Sequence, residues 1–240
     1  MDQQVTDFFN ANKDIKHNKD MLTPPSGLST NDLFNWIRHE SKCKSLRLDL
    51  NPDVSEIQEE IKDKLLLAVP HRDHPGWRSI TLFGYSSIMT NSYEQYKRFG
   101  FDFTNIEPDW TDICKFFPKT VEWLKKNNPL KEYVRIRLMI LDPNGASSPH
   151  VDHRQGQMLC GPINLSIIHP AGAEFALEDG GLVPWKEGEF RTMDLGSVHC
   201  VRNIGPDVRV HLIITPSNND WDDAAKELAC RSYLKQLSER

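Results

Sequence analysis

The chain has 240 residues, 38% of them hydrophobic and 26% charged, which is typical of a soluble globular protein long enough to bury a substantial core. Its 29 Lys and Arg residues stand against 34 Asp and Glu residues, and the net charge of −5 argues against general nucleic-acid binding, which needs a positive surface. No apolar run approaches the roughly 18 residues that a membrane span requires, so we expect no membrane segment.

The N-terminal residues and the cysteines bear on the compartment. Residues 1–7 contain neither a basic stretch nor an apolar core of the kind found in a secretory signal. The five cysteines are odd in number and dispersed, and no two of them form a Cys-x-x-Cys pair. Such cysteines are typical of reduced thiols, so we expect a cytoplasmic protein.

The first half of the chain favours helices. Residues 1–28 are polar and end in a Pro-Pro-Ser-Gly turn, so we expect a polar lead-in before a single domain over 29–240. We expect helical support over about 29–130, interrupted by one strand-like stretch at 78–85. The apolar residues recur at helical spacing in three segments: 31–40, 55–68 before Pro70, and 108–126.

The second half favours strands and ends in a helix at about 220–237. Short β-type runs are separated by Asp-Pro-Asn-Gly, Pro-Ala-Gly and Asp-Gly-Gly turns, a pattern typical of a sandwich or barrel. The fold class predicted is therefore mostly β with flanking helices (α+β), with its core at about 133–216. The expected strands are 133–141, 162–169, 173–178, 189–195, 198–202 and 207–215.

A metal-binding pattern lies in the β-rich half. His150 and Asp152 are two residues apart, so on a strand both side chains point to one face while Val151 points away. His199 follows 47 residues after Asp152 and comes from another strand, which begins after a Gly196 turn. Two histidines and one carboxylate are the set that holds a non-haem Fe(II) on one side and leaves other positions open.

Several polar residues are candidates for binding a second, anionic ligand. Arg209 stands ten residues after His199, and its planar guanidinium suits a carboxylate. His211 shares the face of Arg209 on its strand. Asn164 and Ser166 share a face of the strand that follows Gly161-Pro162, although a solvated polar face explains them nearly as well. The pair Arg135 and Arg137 either grips an anion or forms salt bridges on the outer face.

These motifs resemble one family. Pro149-His150-x-Asp152, His199 and Arg209 look like the aspartyl/asparaginyl β-hydroxylase-like branch of the Fe(II)/2-oxoglutarate dioxygenases. The resemblance covers roughly 70–216, and residues 188–203 also resemble the second cupin motif, with Asp194 in place of the usual Pro. Further segments agree with it: His74-Pro-Gly-Trp77, Arg135-Ile-Arg137, Gly161-Pro-Ile-Asn164 and Val183-Pro-Trp185.

The resemblance implies a fold and a chemistry. The fold is a double-stranded β-helix (a jelly roll, as in cupins) braced by the N-terminal and C-terminal helices. The reaction is hydroxylation of an unactivated C–H with O2 and 2-oxoglutarate, releasing succinate and CO2. The substrate is an amino-acid side chain, as peptidyl Asp, Asn or Pro or as a free amino acid. Fe(II) is then bound by His150, Asp152 and His199, and 2-oxoglutarate by Arg209, with Asn164, Ser166 and His211 as further candidate contacts. The presence of Asp152 disfavours halogenation.

Two alternatives stay open. A cupin-type metal enzyme that does not use 2-oxoglutarate usually presents three His and a Glu, and it leaves Arg209 unexplained. A non-catalytic jelly-roll binding module predicts the loss of a ligand or of that arginine. His153 and Arg154 are expected at the pocket mouth, and Trp77 and Trp185 in core or lid packing. No role is assigned to His74 or His169, and the sequence does not indicate the oligomeric state.

Overall fold

The structure is a computed structural model that describes residues 2–71, 74, 76–91, 93–152, 159–217 and 220–240. None of the described helices combines the length and apolar character needed to cross a bilayer. The cytoplasmic location stays a prediction. The described part of the chain contains the following helices: α1 (Gln3–Asn12), α2 (Thr30–His39), α3 (Ser55–Lys62), α4 (Tyr93–Arg98), α5 (Pro118–Asn127) and α6 (Asp223–Ser238).

The strands form two antiparallel sheets. The large sheet has the order β1-β9-β6-β11-β5-β3-β2, with β4 paired to β3, and the small sheet has the order β10-β7-β8. Their bounds are β1 (Ser45–Arg47), β2 (Val69–Pro70), β3 (Trp77–Gly84), β4 (Asp109–Trp110), β5 (Tyr133–Leu141), β6 (Ile163–Ile168), β7 (Ala173–Leu177), β8 (Gly181–Leu182), β9 (Phe190–Met193), β10 (His199–Asn203) and β11 (Arg209–Pro216).

The topology confirms the predicted double-stranded β-helix. Bridges from Ala146 to Arg202 and from His150 to His199 add the segment 146–150 to the free edge of β10. The chain from β5 to β11 therefore crosses repeatedly between four central strands of the large sheet and four segments of the small one. This two-sheet arrangement defines a jelly roll, and it leaves a space between the sheets.

Strand alternation gives the large sheet two different faces. Over residues 135–141 of β5 and 209–215 of β11, the even-numbered residues are buried in the main apolar cluster together with α2, α3, α5 and α6. Burying each such aliphatic side chain contributes about 1.5–3 kcal/mol, so this face carries much of the stability. The odd-numbered residues point to the space between the sheets. The outer residues are Ile136, Leu138, Ile140, Val210, Leu212 and Ile214.

The polar lead-in contains a helix that packs on the small sheet. Residues 3–12 form α1, whose Asp2 side chain caps Gln4 and whose Phe9 is 1% exposed. Phe9 packs in a small cluster with Ala176 and Cys200 of the small sheet. The guanidinium carbon of Arg202 lies 4.0 Å from the centroid of the Phe9 ring. Helix α1 therefore covers the outside of the small sheet.

Two predicted helices are shorter than expected. The helix expected over 55–68 ends at Lys62, and a 3-10 turn at Leu65–Leu67 leads into β2. The helix expected over 108–126 begins only at Pro118, because β4 and a 3-10 turn at Asp112–Phe116 occupy its first half. Proline favours the first turn of a helix, where its missing N–H has no partner to lose.

Candidate active site

Three side chains that can ligate a metal meet at the rim of the small sheet. His150, Asp152 and His199 each offer a ligand atom, and these atoms lie within 4.8 Å of one another. Nε2 of His150 is 3.6 Å from Oδ1 of Asp152, and Nε2 of His199 is 3.9 Å from Oδ2. The N–H of Asp152 donates to the carbonyl of Leu195 (3.1 Å), which fixes the carboxylate end of the cluster.

Backbone carbonyls set the tautomer of both histidines. Nδ1 of His150 lies 2.7 Å from the carbonyl of Ser148, and Nδ1 of His199 lies 3.1 Å from that of Ser197. A carbonyl only accepts, so in the neutral ring Nδ1 carries the hydrogen and Nε2 keeps its lone pair. Burial lowers the pKa of His199 and so favours this neutral form. Both Nε2 atoms are therefore available for a metal.

The cluster opens into a cavity of about 510 Å³ between the two sheets. Arg209, His211 and Asn164, which the sequence grouped with the metal ligands, all line it. Ser166 is fully buried opposite His211 and, in the described structure, lies outside the cavity wall. The structure thus brings the three candidate metal ligands and Arg209 into one cavity.

Arg209 is a buried cation without an acidic partner among the described residues. It is 2% exposed, and its Nε has no hydrogen-bond partner there. Nη2 donates to Nδ1 of His211 at 2.9 Å, and the guanidinium carbon lies 5.9 Å from the ring centroid of Trp77. Burial lowers its pKa to about 9, so it stays charged at neutral pH. A buried unpaired charge is costly, and an anionic ligand would relieve that cost.

Arg135 and Arg137 present a second cationic surface to the cavity. They lie opposite Thr215 and Ile213 on β11, so Arg137 is about 13 Å of strand away from Arg209. The outer-face salt bridges considered from the sequence are not formed among the described residues. Both guanidiniums point inward and donate to backbone carbonyls: Arg135 to Met89 (2.7 Å) and Asn91 (2.6 Å), Arg137 to Thr90 (2.5 Å).

The environment of this pair resembles that of Arg209. Arg135 is buried and Arg137 half-buried, and the Nε of each has no hydrogen-bond partner in the described structure. Burial, with a smaller contribution from Arg137, lowers the pKa of Arg135 to about 8. The guanidinium carbon of Arg135 also lies 4.7 Å from the ring centroid of Tyr93. Like Arg209, the pair therefore places positive charge and unused N–H donors at the cavity wall.

Several residues in or beside the cavity had no predicted role. Residues 89–91 hold the arginine pair through their carbonyls, and no side-chain pattern could have indicated such backbone contacts. His74 lines the cavity and stacks on His150, with centroids 5.9 Å apart. His169 contacts His211. His153 and Arg154, expected at the pocket mouth, lie outside the described residues.

Other predicted packing roles can be located. Trp77 lines the cavity, and Trp185 packs edge-on against His211 with centroids 4.7 Å apart. Cys160 and Cys200 are fully buried thiols, as their expected role of small apolar side chains requires. Asp194, at the departure from the cupin motif, accepts from Nζ of Lys44 (3.0 Å) and from the Ser197 hydroxyl, and it thereby stabilises the turn before His199.

A jelly roll with a His-Asp-His cluster and a nearby buried arginine defines the class of Fe(II)- and 2-oxoglutarate-dependent oxygenases. The family model described as aspartyl/asparaginyl beta-hydroxylase matches residues 40–217. The chain belongs to this family, so it is a dioxygenase of the hydroxylase type, as its motifs predicted. No curated protein sequence matches the chain.

Solved structures give distant likenesses. A 2OG-Fe(II) oxygenase family oxidoreductase from Burkholderia pseudomallei is 11% identical, with 84% of this chain and 97% of that one covered and a TM-score of 0.42. A Pseudomonas putida prolyl-4-hydroxylase is 11% identical, with 79% and 99% covered and a TM-score of 0.42. HygX from Streptomyces hygroscopicus, solved with nickel and 2-oxoglutarate, is 9% identical, with 80% and 89% covered and a TM-score of 0.43. Family membership rests on the match over 40–217 instead.

Proposed function

We propose that this protein hydroxylates an acidic amino-acid side chain, with Fe(II) on His150, Asp152 and His199 and 2-oxoglutarate on Arg209. The observation that carries the proposal is the placement of a buried arginine without an acidic partner in the same cavity as the His-Asp-His cluster. When bound, the iron and 2-oxoglutarate supply the oxidising chemistry, in which O2 is consumed, succinate and CO2 are released and one oxygen atom enters the substrate C–H bond.

The residues fit the metal. Two neutral imidazole nitrogens and one carboxylate are the donor set that Fe(II) takes in this class, and the remaining positions stay open to co-substrate and O2. The Ser148 and Ser197 carbonyls hold the rings in the metal-binding tautomer, as outer hydrogen-bond partners do in metal sites. The protein therefore orients both imidazole rings for the metal, because these hydrogen bonds are already formed without it.

The residues also fit 2-oxoglutarate. Its C5-carboxylate needs a fixed cation away from the metal, and a guanidinium can pair with it through two parallel hydrogen bonds. Arg209 has a free Nε donor, and its one described side-chain acceptor is the uncharged His211. Its charge is therefore left for the ligand. Asn164 lines the same cavity and is a further candidate contact.

The charge of the loaded cavity favours an acidic substrate. Among its described lining residues, Arg135, Arg137 and Arg209 are positive and Asp152 is negative. The two charges of Fe(II) are offset by the two carboxylates of 2-oxoglutarate, and Asp152 offsets one arginine. Two arginine charges are then left for the substrate, and buried charges need partners. A carboxylate side chain, in a peptide or in a free amino acid, supplies a negative charge that a neutral Asn or Pro side chain lacks.

The test is succinate release by the purified protein with Fe(II), ascorbate, O2 and 2-oxoglutarate, stimulated by peptides or free amino acids in matched acid and amide pairs. Asp or Glu is expected to stimulate more than Asn, Gln or Pro. Equal stimulation by a proline peptide would contradict the acidic preference while leaving the reaction class intact. A protein that never consumes 2-oxoglutarate would contradict the proposed co-substrate site.

A single variant tests whether the pair Arg135 and Arg137 recognises the substrate carboxylate. Arg137→Gln keeps a long side chain but removes the charge, so the preference for acid over amide substrates should fall by about tenfold or more, since a charged hydrogen bond contributes about 1.5–3 kcal/mol. Slow succinate release without substrate should persist, because iron and 2-oxoglutarate are held elsewhere. An unchanged preference in this variant would remove the pair from substrate recognition.

A further inference from the structure

A row of three side chains runs from the cavity into the large sheet. Nη2 of Arg209 lies 2.9 Å from Nδ1 of His211, and Nε2 of His211 lies 3.1 Å from Nδ1 of His169. Arg209 and His211 are buried on one face of β11, and His169, just past the end of β6, is half-buried. The row connects the proposed co-substrate site to a histidine that does not line the cavity in the described structure.

The chemistry of Arg209 determines the protonation of the whole row. A guanidinium only donates, so Nδ1 of His211 must accept and carries no hydrogen. The neutral His211 ring then has its hydrogen on Nε2, which donates to His169. Nδ1 of His169 must therefore accept, and its own hydrogen is on Nε2. One direction of donation is thus imposed along the row by a residue that cannot reverse it.

Both imidazoles are held neutral by their surroundings. Burial, followed by the charge of Arg209 and then His169, holds the pKa of His211 well below its ordinary value. Burial and Arg209 lower the pKa of His169 to about 4. Trp185 packs against both rings, with centroids 4.7 Å from His211 and 6.4 Å from His169. At neutral pH the row therefore carries one charge, located on Arg209.

The neutral His211 ring can orient Arg209 without neutralising its charge, which a carboxylate partner could not do. An Asp or Glu at position 211 would fix the guanidinium but would also neutralise it and occupy its paired N–H groups. An imidazole with a free Nδ1 lone pair orients Arg209 and leaves its charge available. The opposite His211 tautomer would turn an N–H toward the guanidinium and lose this contact. Nδ1 of His169 accepts from Nε2 of His211 and so favours the tautomer whose Nδ1 is free to accept from Arg209.

We infer that His169 is a positioning residue, which fixes the tautomer of His211 and thereby the orientation of Arg209 toward the 2-oxoglutarate carboxylate. The part that concerns 2-oxoglutarate rests on the proposed role of Arg209. The tautomer itself does not, so the two can be tested separately.

The first measurement is the side-chain ¹⁵N NMR spectrum of the ligand-free protein at neutral pH, with His169 and His211 assigned by single substitution. Both rings are expected as neutral Nε2–H tautomers. An Nδ1–H tautomer or an imidazolium at His211 would overturn the inference without any reference to activity. The tautomers are read from the spectrum of the unmodified protein, and the substituted variants serve only to assign its signals.

The second measurement is calorimetric binding of 2-oxoglutarate to the Fe(II)-loaded protein without oxygen. His169→Leu removes the acceptor and should weaken binding about tenfold, which corresponds to about 1.4 kcal/mol. His169→Asn places an amide oxygen near the position of Nδ1 and should stay within about twofold of the parent, because the hydrogen bond persists. Equal losses in both variants would indicate a merely structural role and overturn the inference.

A matched control comes from His17. Like His169 it is half-buried, its Nδ1 is engaged (2.9 Å from the Gly180 carbonyl), and burial lowers its pKa to about 4. It does not line the cavity in the described structure, so His17→Leu should leave 2-oxoglutarate binding unchanged. If Arg209→Gln also left binding unchanged, the proposed co-substrate site would fail. Loss with Arg209→Gln but not with His169→Leu would overturn the positioning role alone.

Discussion

His150 and His199 lie directly opposite each other in the small sheet, and each backbone donates to the other. The N–H of His150 donates to the carbonyl of His199 at 3.0 Å, and the reverse bond measures 2.8 Å. Their ring centroids are 4.3 Å apart. The sheet itself therefore holds the two imidazoles together, whereas the third candidate ligand, Asp152, lies just beyond the ladder with a side chain 47% exposed.

Removing the Asp152 carboxylate should weaken metal binding and leave the stability of the fold nearly unchanged. Asp152→Ala is expected to weaken Fe(II) binding by about 100-fold or more and to abolish succinate release, because the site loses its one charged ligand. Its free energy of unfolding should change by no more than about 0.5 kcal/mol, since the side chain is exposed. Fe(II) titration and urea unfolding measure the two quantities.

The control is Asp207→Ala, which removes an exposed carboxylate from the loop between β10 and β11. It should leave iron affinity and turnover as in the parent protein. Succinate release from Asp152→Ala at the parent rate would show that the cluster is not the iron site.

Arg209 is expected to govern 2-oxoglutarate and not iron. Arg209→Gln should raise the 2-oxoglutarate concentration needed for half-maximal turnover by about 10- to 100-fold, because a charged hydrogen bond contributes about 1.5–3 kcal/mol. Iron affinity should stay within about threefold, since Arg209 is not among the candidate ligands. Steady-state kinetics with varied 2-oxoglutarate, beside Fe(II) titration, checks both. Arg231→Ala, an exposed arginine on α6, is the charge-matched control. An unchanged requirement would mean that another cation holds the C5-carboxylate.

Helix α1 should contribute measurably to stability. Phe9→Ala removes a ring that is 1% exposed, and large-to-small substitutions of buried aromatic residues cost about 3–5 kcal/mol. The neighbouring Phe8 is only partly buried, so Phe8→Ala should cost clearly less. Urea unfolding of the two variants gives the comparison. Equal, negligible losses would mean that α1 does not pack on the small sheet in solution.

Buried neutral histidines should make the free energy of unfolding depend on pH. Burial lowers the pKa of His17 from 6.5 to about 4, so between these values the unfolded chain binds a proton that the folded protein does not. Stability from this group is therefore full above pH 6.5 and is lost as the pH falls toward 4. One such proton contributes a slope of up to about 1.4 kcal/mol per pH unit.

His17→Asn tests this slope, because it removes the titration and keeps an N–H donor for the Gly180 carbonyl. The free energy of unfolding, measured by urea at several pH values between 4 and 7, should fall less steeply in the variant than in the parent. Parallel curves would show that the ring is protonated in the folded state or exposed to solvent.

Part of the candidate site follows from strand periodicity. A spacing of two residues groups Arg209 with His211 on β11 and Arg135 with Arg137 on β5. His150 and Asp152 were expected on one strand face for the same reason, but only His150 is in a strand bridge, and Asp152 lies in the bend that follows. The spacing does not predict which side of the large sheet the Arg209–His211 and Arg135–Arg137 pairs face, because both sides of that sheet are covered. Burial of the even-numbered residues against the helices decides that question, and only the assembled fold provides it.

Other features depend on contacts that a single sequence does not encode locally. The carbonyls of residues 89–91 are identical in every amino acid, so their contacts with Arg135 and Arg137 have no side-chain signature. Phe9 is one of a few apolar residues in a mostly polar stretch, and its burial depends on the small sheet more than 160 residues later. His169 acquires its role through His211, which it meets only across the pairing of β6 with β11.

The two faces of the large sheet also bear on how such an enzyme can change its specificity. Along residues 135–141 of β5 and 209–215 of β11, neighbouring residues serve separate purposes: the even-numbered ones pack against the helices, and the odd-numbered ones face the space between the sheets. Substitutions at positions such as 135, 137 and 213 can then alter what the cavity accepts while the core beneath keeps its packing. A scaffold divided in this way can diversify its substrates by single-residue steps without first losing its stability.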